Sequence, residues 1–163
     1  ETKSRYHQKI RIRKLKFNIY KTYINAVGNS VESKIFRSVY LDSGGKARDI
    51  TKKGRLSCAI YVSGILRIFG LINETHATVD GTLRDLVSSG WSEIKKPRPG
   101  AILVWEAKKF KDGYHQHIGF YIGKNKAISN SNSRRIPVMH HWTFWGKRKI
   151  EKILWRNKLA DVK

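Results

Sequence analysis

Apolar residues recur along this chain with two different periods, and the change falls near residue 97. Over residues 17–40, Tyr20, Ile24, Val27, Val31 and Ile35 return at spacings of three and four, which predicts a helix with one apolar face. Gly28 is its weak point. Residues 42–56 (DSGGKARDITKKGRL) are Gly-rich and basic and read as a loop. Residues 57–72 (SCAIYVSGILRIFGLI) are apolar nearly all round, as in a buried central helix, with Ser57 as N-cap and Gly70 and Asn73 at its end. A shorter helix is expected over Asp80–Ser89, with Leu83, Leu86 and Val87 inward and Gly90 as its stop.

Beyond Pro97 and Pro99-Gly100 the pattern becomes strand-like. Ala101–Glu106, Ile118–Ile122, Lys126–Ser131, Val138–Phe144 and Lys149–Trp155 are the expected strands, several divided by turns such as Gly123-Lys124-Asn125. Helices first and an antiparallel sheet second make an α+β protein. No internal repeat or low-complexity segment interrupts this order.

Composition narrows the picture. With 163 residues the chain has the length of a single domain, and 40% hydrophobic residues favour a packed core over disorder. The longest apolar stretches, Ile65–Ile72 and Ala101–Trp105, are too short to span a bilayer. A single cysteine excludes an intramolecular disulfide and a cysteine-rich zinc site. No signal peptide is readable at the start. The chain begins with Glu1, so the expectation is a secreted or envelope-associated protein if an upstream export segment has been removed.

The net charge of +22 changes the expected partners. Residues 1–16 read as a basic arm, partly disordered, holding Lys3, Arg5, Lys9, Arg11, Arg13, Lys14 and Lys16; residues 17–163 read as one domain. Such a surface attracts polyanions, whether nucleic acid, anionic lipid or an anionic wall polymer. An ordinary well-solvated basic surface accounts for the charge equally well.

Chemistry enters with the cysteine. Cys58 stands at the expected first turn of the buried helix, where unpaired backbone N–H groups and the helix dipole favour a thiolate. Lys52, Lys53 and Arg55 just upstream act in the same sense. Taken alone, Cys58 reads more readily as a packed thiol, because free cysteine is among the most buried residue types. His117 opens a strand after a polar loop containing His115. A cysteine at a helix start, a Pro-Gly-led strand, then a histidine heading the next strand is the order of a Cys–His nucleophilic site. A third polar group is needed to orient the imidazole. Ser129, Asn130, Ser131 and Asn132 lie on or after the next strand, and alternation lets only one of Ser129 and Asn130 serve. Chemistry favours Asn130, whose amide oxygen can accept the ring N–H. As a bland alternative, Ser and Asn are common turn residues.

Four segments resemble the NlpC-type cell-wall peptidases. LSCAIYV (Leu56–Val62) is similar to their nucleophile segment and RPGAILVW (Arg98–Trp105) to their "pGDlvff" strand. HIGFYIG (His117–Gly123) resembles "HvGIYiG" closely, and AISNS (Ala127–Ser131) is similar to "mIHAS". The resemblance spans residues 40–133 and implies a papain-like fold, with N-terminal helices packed on an antiparallel sheet. It implies a cysteine peptidase or amidase that cleaves a peptide bond in peptidoglycan, as a monomer without cofactor or metal. It also implies substrate contacts from Tyr40, similar to a tyrosine lining the family's site, and from Ser57, which stands where many members have Asp. Two departures bear on the site. Ala59 replaces the usual Ser, and direct counting puts Ser129, not Asn130, on the family's third catalytic histidine. The related CHAP amidases share the Cys-then-His order and often use an acidic or Asn third residue. Two other classes stay open: a catalytically degenerate papain-like module that binds polyanions, and a nucleic-acid binder in which Cys58 is merely packed. The chain has no zinc-finger, RNP or helix-turn-helix signature, and Trp142, Phe144 and Trp145, which could stack bases, read more readily as core or sheet surface.

Overall fold

A computed structural model of the chain describes residues 16–159. The basic arm expected over residues 1–16 lies outside these, apart from Lys16, which is exposed.

Three helices precede most of an antiparallel sheet, so the α+β order holds. Helix α1 spans Ile19–Asn29, α2 Cys58–Ile68 and α3 Val79–Ser88. Between α1 and α2 lies a hairpin of β1 (Tyr40–Ser43) and β2 (Lys46–Asp49). The main sheet has six strands: β3 (Ser92–Glu93), β4 (Ile102–Phe110), β5 (Gly113–Gly123), β6 (Lys126–Asn130), β7 (Pro137–His141) and β8 (Ile150–Trp155). Their spatial order is β3-β8-β4-β5-β6-β7, with every pair antiparallel. No helix among the described residues is long and apolar enough to cross a membrane.

The core sits between α2 and β5–β6. Tyr61 of α2 meets Phe120 edge-on at 5.5 Å, and Tyr23 of α1 meets the same ring at 5.9 Å. Val62, Leu66, Ile118, Phe120 and Ile128 are all fully buried. Side chains of this size each contribute about 1.5–3 kcal/mol on burial. The near-continuous apolar run of α2 reflects this central position, as Ala59–Leu66 are buried without a break.

The differences from the sequence expectation have local causes. Helix α1 ends at Asn29 instead of running toward residue 40. Ser30 closes it, bonding the Val27 carbonyl and the Tyr61 hydroxyl, each at 2.6 Å. Val31 and Ile35 therefore lie beyond the helix. Residues 42–56 are not simply a loop, because Gly44 and Gly45 take φ of +57° and +75° and make the tight turn of β1–β2. This hairpin is exposed over most of its length, so no apolar alternation marks it. Strands β4 and β5 continue past their apolar parts through paired polar residues, Lys108 with His115 and Lys109 with Tyr114. Helix α3 starts one residue early because Thr78 caps it, accepting from the Gly81 N–H. Val87, expected inward, is 65% exposed, while Thr82 and Asp85 are buried. Strand β7 stops at His141, and Phe144 and Trp145 take left-handed φ in the turn that follows.

Candidate functional site

Cys58 is the first residue of α2, as its position after Ser57 predicts. The approach to it is a tight turn over residues 50–56, in which Lys52, Lys53 and Gly54 have positive φ. Asp49 organises this turn: it accepts from the Thr51 N–H at 2.9 Å, the Lys53 N–H at 2.8 Å and the Thr51 hydroxyl at 2.6 Å. Those bonds lower its carboxyl to about 2, with the Thr51 hydroxyl the largest cause. Asn130 closes the turn from the sheet, donating from Nδ2 to the Gly54 carbonyl at 2.7 Å.

His117 lies on β5, paired with Trp105 of β4. A β-bulge on β4 between Trp105 and Lys108 adds twist to the strand pair at this level. Register then decides what His117 can reach. Gly119 pairs with Ser129, and Ser129 pairs with Val138. His117 is two residues before Gly119 and His140 two after Val138, so His117, Ser129 and His140 share one face of the sheet along a diagonal. The side chains meet accordingly. His117 Nε2 lies 2.8 Å from Ser129 Oγ, which in turn lies 2.8 Å from His140 Nε2. His140 Nδ1 lies 2.9 Å from the His141 carbonyl. Gly119 leaves this diagonal open: a Cβ there would sit 2.7 Å from Ser129 Cβ and 2.7 Å from the Ile128 carbonyl.

An aromatic shell encloses the two imidazoles. Phe144 stacks on His140 with ring centroids 4.0 Å apart, and Trp105 lies 5.4 Å from His117 and 5.7 Å from His140. The left-handed φ of Phe144 is uncommon for a bulky residue. Trp105 is held in turn by its indole N–H on the Trp142 carbonyl at 2.8 Å.

Cys58, Ala59, His117, Ser129, Asn130, His140, Phe144 and Arg148 all line one cavity of about 580 Å³. Its electrostatics differ from the sequence expectation. Burial pushes the Cys58 thiol up, and this outweighs the backbone N–H groups of Ala59 and Ile118, the Arg148 guanidinium and the helix-start N–H of Cys58 itself, all of which pull it down. A resting thiolate is therefore not what this helix start produces. Burial likewise pushes His117 down to about 3, with Arg148 and His140 adding to the effect. Thiol and imidazole both rest uncharged at neutral pH.

The cation that acts on the thiol is Arg148, not the upstream cluster. Arg148 precedes β8 and reaches across the bulge, donating from Nε to the Glu106 carbonyl at 3.0 Å and from Nη2 to the His115 carbonyl at 2.9 Å. Lys52 and Arg55 instead bind Asp112 at 3.3 and 2.9 Å, and His115 lies 3.1 Å from the same carboxylate. This ties the turn before Cys58 to the tip of the β4–β5 hairpin.

Three expected site residues take other partners. Asn130 lines the cavity but makes no hydrogen bond to His117; its amide holds Gly54, and the register gives Ser129 to the imidazole. Ser57 is buried and donates to the Phe36 carbonyl at 2.9 Å, so its hydroxyl does not line the cavity. Tyr40 is 62% exposed on β1 and is not among the lining residues. Three residues were missed: His140, Phe144 and Arg148. His140 was within reach of sequence reasoning, since two strand steps from Ser129 and the turn at residues 131–136 bring it onto the same face. Arg148 carried no signal among 34 basic residues. Among the described residues no three His, Cys, Asp or Glu side chains are grouped to hold a metal ion. No family model matches the chain, and no curated protein matches it.

Proposed function

We propose that this chain is a papain-like cysteine hydrolase of the NlpC type, cleaving an amide bond with Cys58 as nucleophile and His117 as base. The observation that carries the reading is the shared cavity. The chain's one thiol, at a helix start, opens on the same space as an uncharged imidazole whose Nε2 is engaged by Ser129. That leaves His117 Nδ1 as the nitrogen for the thiol proton.

Because both groups rest neutral, the first step is general-base catalysis rather than attack by a preformed ion pair. The Cys58 S–H proton passes to His117 Nδ1 as sulfur bonds to the amide carbon, and the carbonyl electrons move to oxygen. The Cys58 backbone N–H at the helix start supports that oxyanion. The C–N bond then breaks and the leaving amine takes the proton from His117. Water attacks the thioester, His117 receives its proton, and the thiol departs protonated. Arg148 favours the developing negative charge on sulfur. A cavity of about 580 Å³ is the size of a short peptide segment. The resemblance of HIGFYIG and its companion segments directs the substrate to peptidoglycan peptides, and a +22 chain suits an anionic wall.

The test is release of new amino groups from purified peptidoglycan fragments, followed by mass spectrometry. Cys58→Ala and His117→Ala are each expected to lower the rate on the order of a thousandfold or more. Hydrolysis that survives Cys58→Ala would overturn the reading. A catalytically degenerate polyanion-binding module is favoured by the +22 charge together with the raised thiol. It requires salt-sensitive binding to polyanions with no turnover of any wall fragment.

A further inference from the structure

We infer that His140 is a positioning residue that fixes the tautomer of His117 through the Ser129 hydroxyl. The inference rests on His117 acting as the base of the proposed hydrolase. Its geometry is read from the hydrogen bonds, with burial keeping the His140 ring neutral.

The far end of this relay is fixed by a main-chain carbonyl. The His141 carbonyl can only accept, so the proton on His140 must sit on Nδ1, 2.9 Å away. Burial pushes His140 down as well, so the ring is neutral and carries no second proton. Its Nε2 is then an acceptor, and the Ser129 O–H must donate to it across 2.8 Å. A hydroxyl has one proton. Ser129 Oγ can therefore only accept from His117, across the other 2.8 Å contact. His117 must hold its proton on Nε2, which leaves Nδ1 unprotonated. One main-chain carbonyl thus sets the protonation of two imidazoles through one hydroxyl, and the base nitrogen of His117 is defined three bonds away. A serine without His140 would leave this open, because its hydroxyl rotates and can donate to His117 Nε2 as readily as accept from it.

The aromatic stack of His140 on Phe144 offers a purely structural role, and two substitutions separate the two. His140→Phe keeps a stacking ring and removes the acceptor. His140→Gln removes the ring and returns an acceptor, its amide oxygen, near the Nε2 position. Two readouts apply to the full chain: histidine ¹⁵N shifts, which report the His117 tautomer, and the rate at which iodoacetamide alkylates Cys58. The relay predicts an Nε2–H tautomer for His117 in the wild type. In His140→Phe it predicts a tautomer mixture and alkylation slowed on the order of tenfold, the cost typical of losing a ring-orienting partner. In His140→Gln both recover.

The relay is overturned by an Nδ1–H tautomer in the wild type, by wild-type behaviour in His140→Phe, or by equal losses in both variants. The two hypotheses fail separately. A tautomer change in His140→Phe with an inert Cys58 throughout supports the relay and removes the hydrolase. A reactive Cys58 indifferent to His140→Phe removes the relay and leaves the hydrolase standing.

Discussion

His76 and His117 each make one short contact through Nε2, and their partners differ. His76 meets the Asp85 carboxylate at 2.7 Å; His117 meets the Ser129 hydroxyl at 2.8 Å. A carboxylate only accepts, so Asp85 gathers donors. It takes the Asn73 N–H at 3.0 Å, the Glu74 N–H at 2.8 Å and the Ser89 hydroxyl at 3.0 Å. Together these pin residues 73–76 to α3, and they hold the Asp85 carboxyl well below its usual range despite its burial, which acts in the opposite sense. A hydroxyl both accepts and donates, so Ser129 passes direction from one imidazole to the next without adding charge. Among the described residues, the one buried carboxylate is the Asp85 of this clamp. A carboxylate on His117 would favour the imidazolium, so that more of the ring would rest protonated and unable to accept the thiol proton. The serine keeps the base neutral at the cost of a weaker hold on the ring.

Removing the two partners should therefore damage different things. Asp85→Ala strands the Asn73 and Glu74 N–H groups and the His76 ring, a loss on the order of 3 kcal/mol. Calorimetry should show the melting temperature lower by roughly 10 °C for a domain of this size. Cys58 alkylation, measured well below that temperature, should stay at the wild-type rate. A fall in alkylation comparable to that of a site variant would mean the clamp and the site are one unit, and the contrast would collapse.

Acid sharpens the contrast, because the two regions lose stability in different windows. His117 has a folded value of about 3, below the ordinary 6.5, so the unfolded chain binds its proton first. Stability then falls as pH drops from about 6.5 toward 3, by up to about 1.4 kcal/mol per pH unit for one such group. His140 adds in the same sense. Asp85 is also depressed, and its contribution is present above the ordinary carboxylate value of 3.8 and lost only below it. Urea unfolding across pH should show both limbs. His117→Gln should flatten the limb between about pH 6.5 and 4 in part, and Asp85→Ala only the limb below about 4. A wild-type stability that is level from pH 6.5 to 4 would show that His117 is not held neutral.

Asn130→Ala gives a smaller effect and tests which of Ser129 and Asn130 serves the imidazole. Its amide holds the Gly54 carbonyl beneath the turn that leads to Cys58, so the expected loss is about 1–2 kcal/mol from an orphaned buried carbonyl. The ¹⁵N tautomer of His117 should not change. A changed tautomer would restore Asn130 to the imidazole.

Much of this arrangement is legible in the amino-acid sequence. The all-round apolar run of residues 57–72 marks a buried helix, and HIGFYIG marks a central strand, so Cys58 and His117 could be named. What failed is instructive in each case. At a helix start, dipole and burial act on a thiol in opposite senses, and which prevails depends on the sheet packed over Cys58. The preference for Asn130 compared two side chains as acceptors for one ring. A second ring, His140, lets a hydroxyl do the work, and that ring comes from a strand the pairing register alone brings into line. Ser57 and Tyr40 were implied by likeness to a motif, yet here their neighbours are the Phe36 carbonyl and solvent. Local pattern reports elements; which side chains meet across elements depends on register and on turns such as residues 142–149, whose left-handed Phe144 nothing in the composition announces.

The smallest expected effect concerns the rim. Asp112 carries three partners, Lys52, Arg55 and His115, and joins the turn before Cys58 to the hairpin that leads to His117. The cluster is open to water, and exposed ion pairs contribute little to stability. Asp112→Asn should leave the melting temperature within measurement scatter. Its consequence should appear instead in charge selectivity, because Arg55 lines the cavity and loses the carboxylate that neutralises it. Alkylation by the anion iodoacetate should then gain on alkylation by neutral iodoacetamide, with the rate ratio rising roughly two- to threefold at low salt. At about 0.5 M salt, where screening acts within about 4 Å, the gain should vanish. A ratio unchanged at low salt would mean that Arg55 does not set the potential at the thiol, leaving Arg148 as the cation that does. That outcome would extend the contrast between the two histidines to the cations: one family of charges ties loops together, and a single guanidinium, fixed on two main-chain carbonyls, acts on the site.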